Sequence, residues 1–204
     1  MSAMLQPHSR EHYWTLDEYL IFDRASQQKH EYLDGRVYDM VGGSEAHNVI
    51  IGNTFASLHS QLRRKPCKVY VESMRVVTPS KLATFPDVIV VCGDVQLKDD
   101  HRDTLLNPTV IIEVLSPSTA FYDRGAKWAE YKTIPSLRDY LLIKQDEAEI
   151  EHFSRTADTE WTDNSVIRRG LDQVFEIPSI AAVLALSDVY EKINFEQDAE
   201  QKGG

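Results

Sequence analysis

The pattern of apolar and polar positions predicts short helices and strands along most of the chain. Residues 15–18 have the spacing of a capping box, which predicts a helix that ends near residue 25. Residues 30–40 alternate on both sides of Asp34-Gly35, which predicts a β-hairpin. Ser44 is placed to cap a helix over about 45–64, because apolar residues recur there at helical spacing.

Apolar runs further along the chain predict strands over about 68–78, 85–92, 109–115, 138–144 and 148–153. The charged segment 93–107 is expected to be an exposed loop. Weaker patterns predict peripheral strands near 161–168 and 173–175, and a short helix or irregular packed segment over 180–186. This order of elements predicts an α/β (α+β-like) fold, in which helices flank a central mixed β-sheet.

The most informative run of residues is the buried strand predicted over 109–115. Its residues are almost continuously apolar and β-branched, which is typical of a strand covered on both faces. Glu113 lies inside this run, where an ionised carboxylate is costly unless a cation or hydrogen bonds hold it.

A short helix is predicted to follow that strand. Pro117 prevents simple continuation of the strand, and Ser118 or Thr119 could cap the helix. The helix would carry Asp123 and Lys127 one turn apart on one face. A buried carboxylate followed by an ammonium group suits a metal-assisted hydrolytic site.

The 204 residues are predicted to form one domain over 13–190, with tails over 1–12 and 191–204. No apolar run of 18 residues and no secretory leader are found, so we expect no membrane-spanning helix and a cytoplasmic protein. Cys67 and Cys92 fit no metal-binding spacing and do not suggest a disulfide framework. Phosphate-loop, serine-hydrolase-elbow and zinc-helix motifs are absent from the sequence, which excludes several common enzyme classes.

The formal net charge of −10 argues against avid, nonspecific nucleic-acid binding, because phosphate neutralisation supplies most of that affinity. A basic footprint could only be local, and its candidates are Arg63, Arg64, Lys65, Lys68, Arg168 and Arg169. The first three could instead be cations that complement the carboxyl end of a helix.

An ordered set of motifs carries a resemblance to a known superfamily. Phe85-Pro-Asp87 followed 26 residues later by Glu113 is similar to the two-part motif of the PD-(D/E)XK nucleases. The extended set resembles the bacterial family catalogued as "putative restriction endonuclease", over about residues 13–186. The segments that carry it are EYLDG, Ser44 with His47, FPDVIVVC, EVLSPST, YDRGAK and IPSLRDYLLI. The resemblance implies a restriction-endonuclease-like core.

The resemblance also implies a site. Asp87 and Glu113 would bind Mg²⁺, or Mn²⁺ as a substitute, with the Val114 carbonyl as a further ligand. The lysine expected two residues after Glu113 is replaced by Leu115, and Lys127 matches the position from which related families supply the ammonium group. Lys127 would position or deprotonate the attacking water, or stabilise charge on the phosphorus.

Further assignments follow from the same resemblance. Glu31 matches an upstream acidic position and would contact the metal or its ligands, and Asp87, Glu113, Lys127 and Glu31 together are the candidate catalytic residues. DNA is the implied substrate. A homodimer is expected, because restriction-type nucleases often pair to cut both strands.

Each assignment has a structural alternative. Glu113 could form a buried ion pair with Lys127 or an arginine, and Lys127 could simply pair with Asp123 at the surface. Asp87 could be an ordinary residue at a strand entry, and Glu31 an exposed hairpin residue. The remaining alternatives concern aromatic residues: His47 could make a structural bond, while Tyr122, Trp128 and Tyr131 are expected to serve packing.

Three functions are consistent with the sequence. The first is a metal-dependent endonuclease acting on DNA through an Asp-Glu-Lys site. The second is a non-catalytic binding or interaction protein with the same fold, and the third is a metal-dependent hydrolase of a small acidic substrate. Metal affinity that depends on Asp87 would separate the second function from the other two.

Overall fold

The computed structural model describes residues 12–40, 42–117, 119–155, 160–162 and 164–195. The predicted tails, 1–12 and 191–204, fall mostly outside these ranges. Within the described part, Phe195 lies against Tyr190, with 5.4 Å between the ring centroids. No helix in these ranges is long and apolar enough to cross a membrane.

The amino-terminal elements form as their local signals predict. Helix α1 (Leu16–Ala25) begins with a complete capping box between Thr15 and Glu18. Strands β1 (His30–Leu33) and β2 (Arg36–Asp39) form the hairpin. Asp34 and Gly35 at its turn have φ angles of 44° and 81°, as a primed turn requires. Helix α2 (Glu45–Leu62) is capped by the Ser44 side chain.

Two sheets share the middle of the chain. After α2 the chain forms five strands: β3 (Cys67–Val71), β4 (Arg75–Val77), β5 (Leu82–Thr84), β6 (Val88–Cys92) and β7 (Thr104–Leu105). The hairpin sheet has the order β2-β1-β5-β4-β7. The strand predicted over 68–78 is therefore two strands in different sheets. The chain turns between them at Glu72, which has a φ of 50°.

The central sheet holds the buried strand predicted around Glu113. That strand is β8 (Val110–Leu115), in which all six residues are buried. Strands β9 (Asp139–Lys144), β10 (Glu149–Ser154) and β11 (Val166–Arg169) complete the order β11-β10-β9-β8-β6-β3. Because β8 runs parallel to β9 and antiparallel to β6, the sheet is mixed. The predicted fold class is confirmed.

The helix after β8 is continuous but irregular. It consists of α3 (Ala120–Tyr122), a π-helical turn over Asp123–Lys127, and α4 (Trp128–Tyr131). Thr119 is the N-terminal cap residue of this helix, but its side chain makes no capping bond. The Ser116 hydroxyl instead accepts from the Thr119 N–H at 3.2 Å. Ser118 lies outside the described residues.

The carboxyl-terminal part adds a two-stranded sheet of β12 (Val174–Ile177) and β13 (Ala182–Ala185). A 3₁₀ turn over Pro178–Ile180 joins these strands, and α5 (Leu186–Val189) follows them. Together with α2, these elements cover one face of the central sheet. Leu115, Tyr131 and Tyr140 belong to the cluster on the other face.

Three expectations are wrong. Segment 93–107 is not simply an exposed loop, because Thr104 and Leu105 are buried and pair with β4. Segment 180–186 is mainly strand β13, which finds its partner in β12. Cys67 and Cys92 form a disulfide, since the antiparallel register of β3 and β6 brings their Cα atoms to 4.0 Å. That pairing depends on a register that cysteine spacing alone does not reveal.

Candidate active site

Asp87 and Glu113 lie side by side at the end of neighbouring strands. In the antiparallel register of β6 and β8, Val88 pairs with Ile112, so one step further Asp87 faces Glu113. Asp87 then replaces a ladder bond with its side chain: its Oδ2 accepts from the Val114 N–H at 2.6 Å. The carboxylate is therefore fixed against the strand that carries Glu113, unlike an ordinary strand-entry residue.

Glu113 is 4% exposed, and its described contacts involve one oxygen. The Tyr131 hydroxyl donates to Oε1 at 2.8 Å, and Lys127 Nζ lies 3.1 Å from the same atom. Burial raises the pKa of Glu113 to about 8, because the pull of Lys127 only partly offsets burial and the repulsion from Asp87 and Asp123. The raised pKa agrees with the cost of an ionised carboxylate inside a buried strand.

Lys127 reaches this carboxylate from the π-helical turn. Its side chain is 8% exposed, and its Nζ also lies 3.2 Å from Asp123 Oδ1. Burial lowers the pKa of Lys127, but attraction by Glu113, Asp123 and Glu31 outweighs it and raises the pKa well above its usual value. Lys127 is therefore a charged donor inside the site, and the alternative of a solvated surface lysine is wrong.

Two neighbouring cations, Arg124 and Lys132, contact other groups and not Glu113. Arg124 Nε bonds Glu151 at 2.9 Å, and Lys132 Nζ lies 5.6 Å from the centre of the Trp128 ring. Leu115 lies on the face of β8 that also carries Glu113, within the apolar cluster of Tyr131. Lys127 reaches Glu113 beside this apolar cluster, and a lysine stem can lie against such a surface while its ammonium group meets a polar centre.

Glu31 comes to the site from the other sheet. It is 5% exposed, so the alternative of an exposed hairpin residue is wrong. Its Oε2 accepts from the Thr84 hydroxyl at 3.0 Å, and its Oε1 accepts from the Tyr122 hydroxyl. Burial raises the pKa of Glu31, against the attraction of Lys127 and these two hydrogen bonds. Glu31 therefore anchors the helix that carries Lys127.

His47 lies on the first turn of α2, beside Asp87. Its Nε2 is 3.4 Å from Asp87 Oδ1, and its buried Nδ1 has no hydrogen-bond partner among the described residues. Burial lowers the pKa of His47, but the bond to Asp87 and its charge outweigh burial and raise it. The histidine thus supports the Asp87 carboxylate.

Two tyrosines belong to the site and were predicted only to pack. Tyr122 donates to Glu31, and Tyr131 donates to Glu113. Trp128 behaves as predicted, because it stacks on Tyr140 with 5.2 Å between ring centroids. A usable signal existed: Tyr131 follows Lys127 by four residues, so the two share a helix face that meets a buried carboxylate.

The donor atoms fit a hard divalent cation. No group of three acidic, histidine or cysteine side chains suited to a metal occurs among the described residues. Mg²⁺, however, commonly uses only one or two carboxylates and keeps several waters. Asp87 and Glu113 would supply the carboxylates. The Val114 carbonyl points to the same strand edge as its N–H, which already meets Asp87.

Comparison with known proteins gives the family of the chain. The Uma2 family model, described as "Putative restriction endonuclease", matches residues 16–186. The Synechocystis protein slr1290 is 32% identical over 180 residues, which are 88% of this chain and 92% of that protein. A second Synechocystis protein, sll1609, is 32% identical over 148 residues, covering 72% and 84%.

A solved structure shows the same fold. The crystal structure of a "putative nuclease belonging to DUF820" from Anabaena variabilis matches with a TM-score of 0.72. The alignment covers 89% of this chain and 99% of that one at 18% sequence identity. At that identity, the likeness concerns the fold.

Proposed function

This chain belongs to the Uma2 family of "Putative restriction endonuclease" proteins, and on that premise we propose that it is a metal-dependent endonuclease that hydrolyses DNA phosphodiester bonds. One observation carries the proposal. Lys127 Nζ lies 3.1 Å from Glu113, at the strand end where Asp87 faces Glu113. An acidic pair can hold a divalent ion, and a buried ammonium group can stabilise charge on the phosphate, so this set suits the hydrolysis that the family resemblance implies.

The carboxylates and the cation have separate roles. Asp87, Glu113 and the Val114 carbonyl would hold Mg²⁺, with Mn²⁺ as a substitute. A divalent ion polarises the scissile phosphate and lowers the pKa of a bound water. Asp87 is held for this role by the Val114 N–H and by His47.

Lys127 acts as a hydrogen-bond donor. Its raised pKa keeps it protonated, which favours orienting the water or stabilising charge on the phosphate over removing a proton. Glu31 positions the helix that carries Lys127, because it accepts a hydrogen bond from Tyr122 near the start of that helix. Both oxygens of Glu31 already accept hydrogen bonds, which favours this role over direct metal binding.

A non-catalytic member of the fold is the second candidate. The observation that favours it is that Asp87, Glu113 and Lys127 all find partners within the protein, as a purely structural network would. The formal charge of −10 also disfavours broad DNA binding. Mn²⁺ binding separates the two candidates, because a structural network needs no metal.

Nicking of supercoiled plasmid tests the proposal. We expect nicking in Mg²⁺ or Mn²⁺ that EDTA abolishes, and a loss of at least about a hundredfold in Asp87→Asn, Glu113→Gln and Lys127→Met. The matched controls are Asp94→Asn and Lys132→Met, whose side chains lie at the exposed surface. Nicking that survives in the three site variants, or disappears equally in the controls, contradicts the assignment.

Dimerisation and location are separate proposals. A homodimer would bring two sites to the two strands of one duplex, and sedimentation velocity with and without DNA measures it. A cytoplasmic location fits this function, whereas the Cys67–Cys92 disulfide is more typical of an oxidising compartment, and cell fractionation separates the two.

A further inference from the structure

A cavity of about 910 Å³ lies away from the candidate active site. Its wall includes Asp139, at the start of β9, which pairs with Val110 at the start of β8. Glu113 is three residues further along β8, or about 10 Å at the usual rise per residue. The cavity and the carboxylate pair are therefore at different ends of the central sheet.

Three arginines line this cavity, and none pairs with a carboxylate among the described residues. They are Arg138, Arg155 and Arg168. Asp139 is on the wall, but His152 Nε2 lies 2.7 Å from its Oδ1 and the Ser179 hydroxyl donates to its Oδ2. The other acidic side chain of the wall, Glu176, is exposed. Among the residues that the structure describes, the wall therefore carries three arginines against two carboxylates, which is a local cationic excess in a protein with a formal charge of −10.

Arg155 supplies a fixed positive charge. Its terminal nitrogens donate to the carbonyl oxygens of Lys132 at 2.8 Å and Pro135 at 3.0 Å. Burial and then repulsion by Arg138 lower the pKa of Arg155. The Arg138 guanidinium has no hydrogen-bond partner in the described ranges, so the repulsion is not relieved and an anion would relieve it.

The volume and the lining residues of the cavity indicate the class of ligand. Its volume falls within the usual range for small organic molecules and exceeds what a simple ion needs. A nucleic-acid footprint would instead be an extended basic stripe. Val166 and Val174, which are 43% and 51% exposed, give the wall an apolar part. Guanidinium groups match the oxygens of a phosphate.

We propose that this cavity binds a small organic phosphate. Its phosphate group contacts Arg138 and Arg168, and its organic part lies against Val166 and Val174. The site does not depend on the proposed nuclease activity, because it shares no residue with that site.

Isothermal titration calorimetry in EDTA tests the proposal, because chelation removes any metal-dependent binding at the other site. The probes are AMP, adenosine and inorganic pyrophosphate. We expect AMP to bind, and adenosine and pyrophosphate each to bind at least about tenfold more weakly. Arg138→Ala should weaken AMP binding by at least about tenfold, and Arg64→Ala, an exposed arginine on another surface, by less than about twofold.

Three results would overturn the proposal: no AMP binding at millimolar concentration, adenosine binding equal to AMP, or equal effects of the two arginine variants. Pyrophosphate binding equal to AMP would overturn the organic part of the ligand. Arg168→Ala is the second variant, because Arg168 is exposed and its loss leaves the core intact. Unchanged melting temperatures keep a binding loss distinct from a folding defect.

Discussion

Replacing Lys127 by methionine should destabilise the protein through the carboxylates left behind. Lys127 Nζ lies 3.1 Å from Glu113 and 3.2 Å from Asp123, and both carboxylate side chains are 5% exposed or less. Removing one partner of such a buried pair costs about 3–5 kcal/mol, because the other charge stays buried without compensation. Methionine keeps the length of the stem, so lost packing contributes little.

The raised pKa of Glu113 limits how much stability the Lys127→Met variant can lose. Glu113 already has a raised pKa, so without Lys127 it can take up a proton and avoid part of the cost. We therefore expect a loss of about 3 kcal/mol at pH 7, at the lower end of that range. Urea denaturation followed by circular dichroism measures it. Lys132→Met is the control, with an expected change of about 0.5–1 kcal/mol from its contact with Trp128.

A double-mutant cycle tests the reasoning directly. Glu113→Gln should cost less in the Lys127→Met background than in the wild type, since the carboxylate it removes is already unpaired. We expect the two effects to differ from additivity by at least about 1 kcal/mol. If they add within about 0.5 kcal/mol, the two side chains do not act as a pair and the argument fails.

Three further predictions concern the rest of the molecule. Hydrogen bonds from Arg24 hold the pKa of Asp103 and of Asp99 below their usual values, so the contribution of these carboxylates to stability is present above about pH 4 and is lost as the pH falls. Arg24→Met should therefore flatten the dependence of the free energy of unfolding in urea on pH between about 5 and 2, and an unchanged slope would contradict this. Reducing the Cys67–Cys92 disulfide, which spans 25 residues, should lower the free energy of unfolding by about 3 kcal/mol, whereas thiols titrated in native, unreduced protein would show that the bond is absent. Tyr122→Phe should cost about 1–3 kcal/mol, because Glu31 loses a buried donor, and Tyr13→Phe, at an exposed position, should have no effect on the same melting curve.

Local signals predicted those elements that depend on few distant contacts. The capping box of α1, the Asp34-Gly35 turn and the apolar run of β8 each determine their structure within a short window of sequence. The pairing of β7 with β4, by contrast, joins residues that are 29 positions apart, as in Arg75 with Thr104. Such pairing follows from the assembled sheets, and no short window contains it.

The same distinction applies to the site. The motif spacing predicted that Asp87, Glu113 and Lys127 would meet, and the structure brings them together. The role of Tyr122 was missed, because an aromatic residue in a helix resembles a core residue until its hydroxyl has a partner, here Glu31. For Tyr131, the spacing of four residues from Lys127 was the available signal. The cavity arginines were also missed as a group, since Arg138, Arg155 and Arg168 meet only after three strands align.

The π-helical turn over Asp123–Lys127 makes the length of this segment part of the site. A π turn holds one residue more than the α-helix around it needs, and a regular helix rotates by about 100° per residue. Deleting Gly125 would therefore turn Lys127 and the following Tyr131 by that angle relative to Tyr122 and Glu31. A family member that lost one residue here could keep every candidate site residue and still fail to bring them together. In an alignment, a single-residue gap in this helix is therefore a stronger sign of a disrupted site than many substitutions nearby.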